Sequence, residues 1–152
     1  MSPKTSRLRS YQSLWRMAKV RESLAAAELA KTTAEEREHQ QACTNIQSQR
    51  DALTRAGEDG LAASGHLDLT RLEMLSLLDA AMGERQARAE QALAEVEQRR
   101  AECAQANWQA KRYRERVGEQ LKETRDALYQ EHAAKAQEES IELWTERRKG
   151  DA

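Results

Sequence analysis

A chain of 152 residues with 34% charged side chains, no Phe and 4% aromatics, at a mean hydropathy of −0.94, lacks the material for a thick hydrophobic core. Much of its 39% hydrophobic content is Ala, and its single Pro, Pro3, stands where it breaks nothing, so the composition describes long helices or coiled coil rather than a disordered polymer. A formal net charge of −1 provides no whole-chain field toward nucleic acid or anionic lipid, and no apolar run approaches the roughly 18 to 20 residues of a membrane helix.

The chain opens on a basic arm, in which Lys4, Arg7, Arg9, Arg16, Lys19 and Arg21 all precede the first acid, Glu22. The arm has no signal-peptide hydrophobic region, and the expectation is a cytoplasmic protein. From Tyr11, alternating steps of four and three touch Tyr11, Trp15, Ala18, Glu22, Ala25, Leu29, Thr32, Glu36, His39, Cys43, Ile46, Arg50 and Leu53. This is a thin coiled-coil stripe, repeatedly interrupted by polar residues. It predicts a first helix over about 6–56, stopped at Gly57 and followed by a loop over about 57–67 that holds Gly60 and Gly65.

A second helix is predicted over about 68–148, with Asp68 or Thr70 as N-cap and Thr70 three residues before Glu73 as in a capping box. Its walk meets Leu75, Leu78, Met82, Arg85, Ala89, Ala92, Val96, Arg99, Cys103, Ala106, Ala110, Tyr113 and Val117. Continuing to Leu121, Thr124 and Leu128 requires one extra step of four, a stutter beside Gly118. Two long periodic segments around one loop make an all-α fold, a single elongated antiparallel two-helix coiled-coil hairpin whose second helix is the longer.

A turn centred near residue 62 would set Cys43 level with Met82 and Cys103 level with Arg21, about 30 Å apart at 1.5 Å per residue and beyond disulfide reach. It would also leave everything after about residue 118 without a partner helix, including Leu121, Leu128, Tyr129, Ile141, Leu143 and Trp144. Such an overhang either binds something or stays partly unfolded.

Chemistry-bearing motifs are sparse. Glu36 and His39 form one E-x-x-H pair where a di-iron bundle needs two with further Glu, His132 lacks a Glu three residues before it, and His66 lies in the loop; a solvated or seam histidine is the reading, with no metal and no cofactor. The segment GEDGLAASGH has no GK[ST] to cradle phosphate, and a two-stranded coil has no water-excluding pocket for a nucleophile and base. No enzyme is expected. The run KRYRER, Lys111 to Arg116, and the basic arm have few aromatics for stacking on bases, so an acidic protein surface is a better partner for them than nucleic acid.

The most apolar stretch is LTRLEMLSLLDAAM, Leu69 to Met82. On a helix Leu72, Leu75, Leu78 and Met82 make one stripe, with Met74, Leu77 and Ala81 beside it, and a two-helix seam needs only the first. Two readings of the remainder stand: Leu61 and Leu67 fold over it or the protein dimerises there, or an exposed patch receives a partner.

The hairpin with its glycine loop near residue 60, longer second helix, basic ends and segment NWQAKRYRERVGEQL (Asn107 to Leu121) resembles the FliJ and YscO family of flagellar export and type III secretion coiled-coil proteins. Trp108, Lys111, Arg112, Arg114 and Leu121 carry the local likeness, an aromatic and basic stretch. The resemblance implies a central stalk in the pore of a hexameric secretion ATPase, linked to the export gate at the cytoplasmic face of a secretion apparatus, and in some members to export chaperones. Transferred by position, Arg7, Arg9, Trp15, Arg16 and Lys19, with Arg147 and Arg148, would touch the ATPase, while Leu72, Met74, Leu75 and Leu78 would lie nearest the gate. Contact with the membrane would then run through partners only. An alternative function is a cytosolic chaperone or escort that binds amphipathic helices of secreted substrates, or their chaperones, along the thin seam.

Overall fold

The computed structural model describes residues 2–64 and 69–151, with no side-chain placement at 63 and 64. Its two helices, α1 (Pro3–Ser64) and α2 (Leu69–Gly150), pack against each other as a hairpin, and α2 is the longer. The hairpin fold expected from the sequence is therefore present. Ser2 caps α1: its Oγ accepts from Lys4 N at 3.3 Å, and Pro3 occupies the first helical position, where a missing N–H costs nothing. Arg147, Arg148 and Lys149 fill the last turn of α2, where cations meet the negative end of the helix dipole.

The ends of the helices differ from expectation. α1 does not stop at Gly57 but runs through Gly57 and Gly60 to Ser64. The physical reason is packing. Gly57 points inward, and a methyl built there would lie 3.3 Å from Leu75 Cδ1, so the missing side chain admits the leucine instead of ending the helix. Thr70 lies inside α2 rather than capping it; Asp68, with Gly65, His66 and Leu67, lies outside the described residues.

By packing, the chain divides into a middle unit, Ala26–Ala106, and a terminal unit formed by Met1–Ala25 with Asn107–Ala152. In the middle unit every member of the α1 walk from Leu29 to Leu53 is buried or half-buried, as the four-three spacing predicts. Thr32 is the buried polar member. Its Oγ1 donates to the carbonyls of Glu28 and Leu29, both at 3.0 Å, so the hydroxyl is satisfied within its own helix.

α2 meets α1 with a face rotated from the predicted one. Leu75, Met82, Ala89, Ala92, Val96 and Cys103 are buried or half-buried as expected, but Leu78, Arg85, Arg99 and Ala106 are exposed, and the alternate contact with α1 falls one residue later, where Gln86 and Leu93 are half-buried and Asp79 and Arg100, though exposed, carry ion pairs to α1. Most of these are polar, and three are matched. Arg50 donates to Asp79 Oδ1 from Nε and Nη2, at 3.2 and 3.0 Å, and to Gln86 Oε1 at 2.7 Å; Gln86 Nε2 donates to Gln47 Oε1 at 2.9 Å; and Arg100 pairs with Glu36. Arg99, from the rim, pairs with Glu35 at 3.3 Å. Where a polar side chain finds a partner across the seam, as Asp79 does, its apolar neighbour, here Leu78, is left on the rim.

The same rotation governs the terminal unit. Ala110, Val117 and Leu121 are buried and Arg114 is half-buried against Glu22, while Tyr113 moves to the rim. The inward positions there, Asn107, Ala110, Arg114, Val117, Leu121, Thr124, Leu128 and Glu131, keep strict three-four spacing, so Gly118 marks no stutter. Gly118 instead admits Trp15: a methyl built there would lie 3.4 Å from the indole Nε1.

These pairs also correct the predicted register. With Glu36 opposite Arg100, Cys43 and Cys103 stand about ten residues, or about 15 Å, apart along the seam, closer than predicted yet too far for a disulfide; both are free thiols. In the terminal unit Lys4 reaches Glu131 at 2.6 Å, so α2 keeps a partner well past residue 118 and only residues 132–150 are unpaired by α1. The cause is that α1 continues through Gly57 and Gly60 to Ser64 instead of stopping at Gly57.

Candidate partner-binding surfaces

Three surfaces collect the residues that the seam leaves out. In the middle unit, where α1 ends and α2 begins, Leu61, Leu69, Met74, Leu77 and Leu78 are exposed, Leu77 at 72% and Met74 at 60%. Leu72 and Leu75 are half-buried and line a groove with Leu53 and Gly57. Of the four side chains expected nearest a gate, two therefore serve the seam and two, Met74 and Leu78, are available to a partner. Leu61 is part of α1, and Leu67 lies outside the described residues.

In the terminal unit the basic arm of α1 carries Arg7, Arg9, Arg16 and Lys19 on exposed positions and Trp15 half-buried. Arg7 lines a groove with Lys4, Glu123 and Thr124. Trp15 is fixed between Gly118 and the Lys19 ammonium, which lies 4.4 Å from the ring centroid. The third surface is the end of α2. Residues 132–150 are exposed throughout, and Ile141, Leu143 and Trp144 are each at least 60% exposed. Arg148 lies 5.1 Å from the Trp144 ring, and Arg147 borders a groove with Leu143 and Trp144.

The structure does not bring the expected basic contacts into one patch. Lys4 and Arg7 sit level with α2 near residues 123–131, so Arg147 lies on the order of 25 to 35 Å farther along the helix.

One signal escaped the reading of the sequence. Each of the three tryptophans has a basic residue four positions on, Trp15 with Lys19, Trp108 with Arg112 and Trp144 with Arg148, and all three cations lie over their rings. A fourth such contact crosses the seam, with Arg21 at 5.9 Å from Tyr113. All six aromatic residues, Tyr11, Trp15, Trp108, Tyr113, Tyr129 and Trp144, belong to the terminal unit, which holds sixteen Lys and Arg against eleven Asp and Glu. The middle unit holds nine against fifteen, so a net charge near zero conceals two opposite ones.

Glu36 and His39 do not converge on a ligand. Glu36 faces Arg100 and accepts from Gln40 at 3.3 Å, and His39 is half-buried in the seam. Among the described residues no group of three or more His, Cys, Asp or Glu could hold a metal ion, and no helix is long and apolar enough to cross a membrane. Among the described residues, one carboxyl, that of Glu131, is clearly perturbed. The hydrogen bond and the charge of Lys4 hold its carboxyl below the ordinary value of 4.5, with a smaller contribution from Lys135. Comparison with known proteins adds no relative: no family model, no curated protein and no solved structure matches the chain.

Proposed function

We propose that this chain is a non-enzymatic adaptor, a stalk in a type III protein export apparatus, whose terminal unit binds a hexameric secretion ATPase at the cytoplasmic face and whose Met74 and Leu78 surface meets the export gate. The reading rests on the resemblance carried by the Asn107 to Leu121 segment, and one observation supports it above the others: α2 continues for residues 132–150 without a partner helix while exposing Ile141, Leu143 and Trp144. A solitary helix of that length is marginal in water, which favours a role in which a larger assembly covers it. The excess of basic residues in the same unit suits an acidic wall. The escort reading requires an open seam for a substrate helix, and α2 fills that seam.

The test is stimulation of a type III secretion ATPase, measured as phosphate release and as hexamer formation with and without this protein. Full-length chain should raise both, and a chain ending at Glu131 should raise neither while keeping its helical hairpin. Equal stimulation by the two would remove the basis for assigning the tail to the ATPase.

A further inference from the structure

We propose that copies of this chain associate through unlike surfaces, the basic end of α2 in one seated on an acidic, apolar groove of the middle unit in another. The groove runs between the end of α1 and the start of α2, where Leu53, Leu61, Leu72 and Leu75 line it with Glu58 and Asp79. Among the described residues no Lys or Arg lines it. Asp79 is held by Arg50, whereas Glu58 has no ion pair within the described residues and stands exposed at the border. Such a groove suits an apolar side chain accompanied by a cation.

The end of α2 presents that combination. At about 3.6 residues per turn, Ile141, Leu143, Trp144, Arg147 and Arg148 share one side of the helix, while Glu142 and Glu146 stand on the other and Glu138 and Glu139 border the basic side a turn earlier. The three apolar side chains are at least 60% exposed, Arg148 lies 5.1 Å from the Trp144 ring, and Arg147 borders Trp144 and Leu143. An indole between two guanidinium groups matches leucines edged by carboxylates better than it matches the basic arm of α1.

Two observations select a second copy as the occupant. The terminal unit holds sixteen Lys and Arg against eleven Asp and Glu and the middle unit nine against fifteen, so copies attract through unlike units and repel through like ones. Leu75 and Trp144 also belong to the single helix α2, and a chain cannot fold its own tail onto its own groove while that helix is whole. The contact would cover Trp144, so self-association and ATPase binding would compete. The inference itself does not depend on that proposed partner.

Sedimentation equilibrium of the full chain from about 1 μM to about 1 mM tests it. The average mass should rise above 17.3 kDa with concentration, and salt at about 0.5 M should move the midpoint several-fold higher. Trp144→Ala should raise the midpoint by about ten-fold or more, and Glu58→Arg and Arg147→Glu by about three-fold or more each, all at exposed positions and with unchanged far-ultraviolet helicity. An equimolar mixture of the Glu58→Arg and Arg147→Glu chains restores opposite charges in every contact between unlike copies and should associate more tightly than either alone. A chain that stays at 17.3 kDa throughout overturns the proposal. So does association indifferent to Trp144→Ala, a mixture no tighter than its components, or a loss seen only in Val20→Glu, which would assign the contact to the outer face of α1.

Discussion

The two units solve the same packing problem with different side chains. The middle unit has no aromatic residue and holds its helices by aliphatic contacts, Val96 at their centre with 2% exposure, joined by polar pairs that reach across the seam from Arg50, Glu35 and Glu36. The terminal unit holds every Trp and Tyr, keeps buried Ala18, Ala110, Val117 and Leu121, and turns most of its aromatic surface outward beneath cations. A seam two helices wide offers little burial. Charge pairs therefore contribute register more than stability, whereas exposed aromatic and basic side chains contribute little to the hairpin and remain for partners. Where aromatics cost the fold least, they are most available for recognition.

Substitutions that act on one unit alone should break or sharpen this contrast. The largest effect is expected from Val96→Asp, which places an unpaired charge in the middle seam and should destabilise that unit by about 3 to 5 kcal/mol. Because all three tryptophans lie in the terminal unit, fluorescence reads that unit alone while circular dichroism reads both. Val96→Asp should therefore shift the dichroism transition more than the fluorescence transition; equal shifts would mean that the units unfold as one body. Leu121→Ala should do the converse, costing about 2 kcal/mol and moving the fluorescence transition first.

Smaller effects probe the polar pairs. Glu36→Arg and Arg100→Glu should each lower stability by up to about 1 kcal/mol, and the double exchange should recover most of the loss, since the pair is partly exposed and its worth lies in direction rather than strength. Failure of the double exchange to recover would mean that burial alone fixes the register. The smallest effect concerns Glu131. Its carboxyl titrates lower in the folded chain than in the unfolded one, so the contribution of the Lys4 contact is present above the ordinary carboxylate range and is lost as pH falls through the depressed folded value. The protection of amides near Lys4, measured relative to their intrinsic exchange rate at each pH, should therefore fall only below about pH 4.5, and Lys4→Met should abolish that dependence.

The hairpin, the inequality of its helices and the inward face of α1 were legible in the residues, because a four-three apolar period over many turns admits one partner face and little else. The inward face of α2 was read only by half. Leu75, Met82 and Val96 belong to either choice of alternate position, and a rule that prefers apolar residues selects Leu78 over Asp79 and Tyr113 over Arg114. Only the presence of Arg50 and Glu22 across the seam reverses that choice. The basic arm and the unpaired tail are visible in the sequence as surfaces, and the cations over the tryptophans have their trace there in the four-residue spacing, although only the structure shows the contacts.

What the sequence by itself determined is thus the period: helices throughout, two of them, with a thin stripe along each. The tertiary structure decided the phase and the register. Periodicity is a property of one strand, whereas the rotation of a helix about its axis and its slide along a neighbour depend on which side chains meet, and Gly57 ends a helix or continues it according to whether Leu75 is there to fill its place.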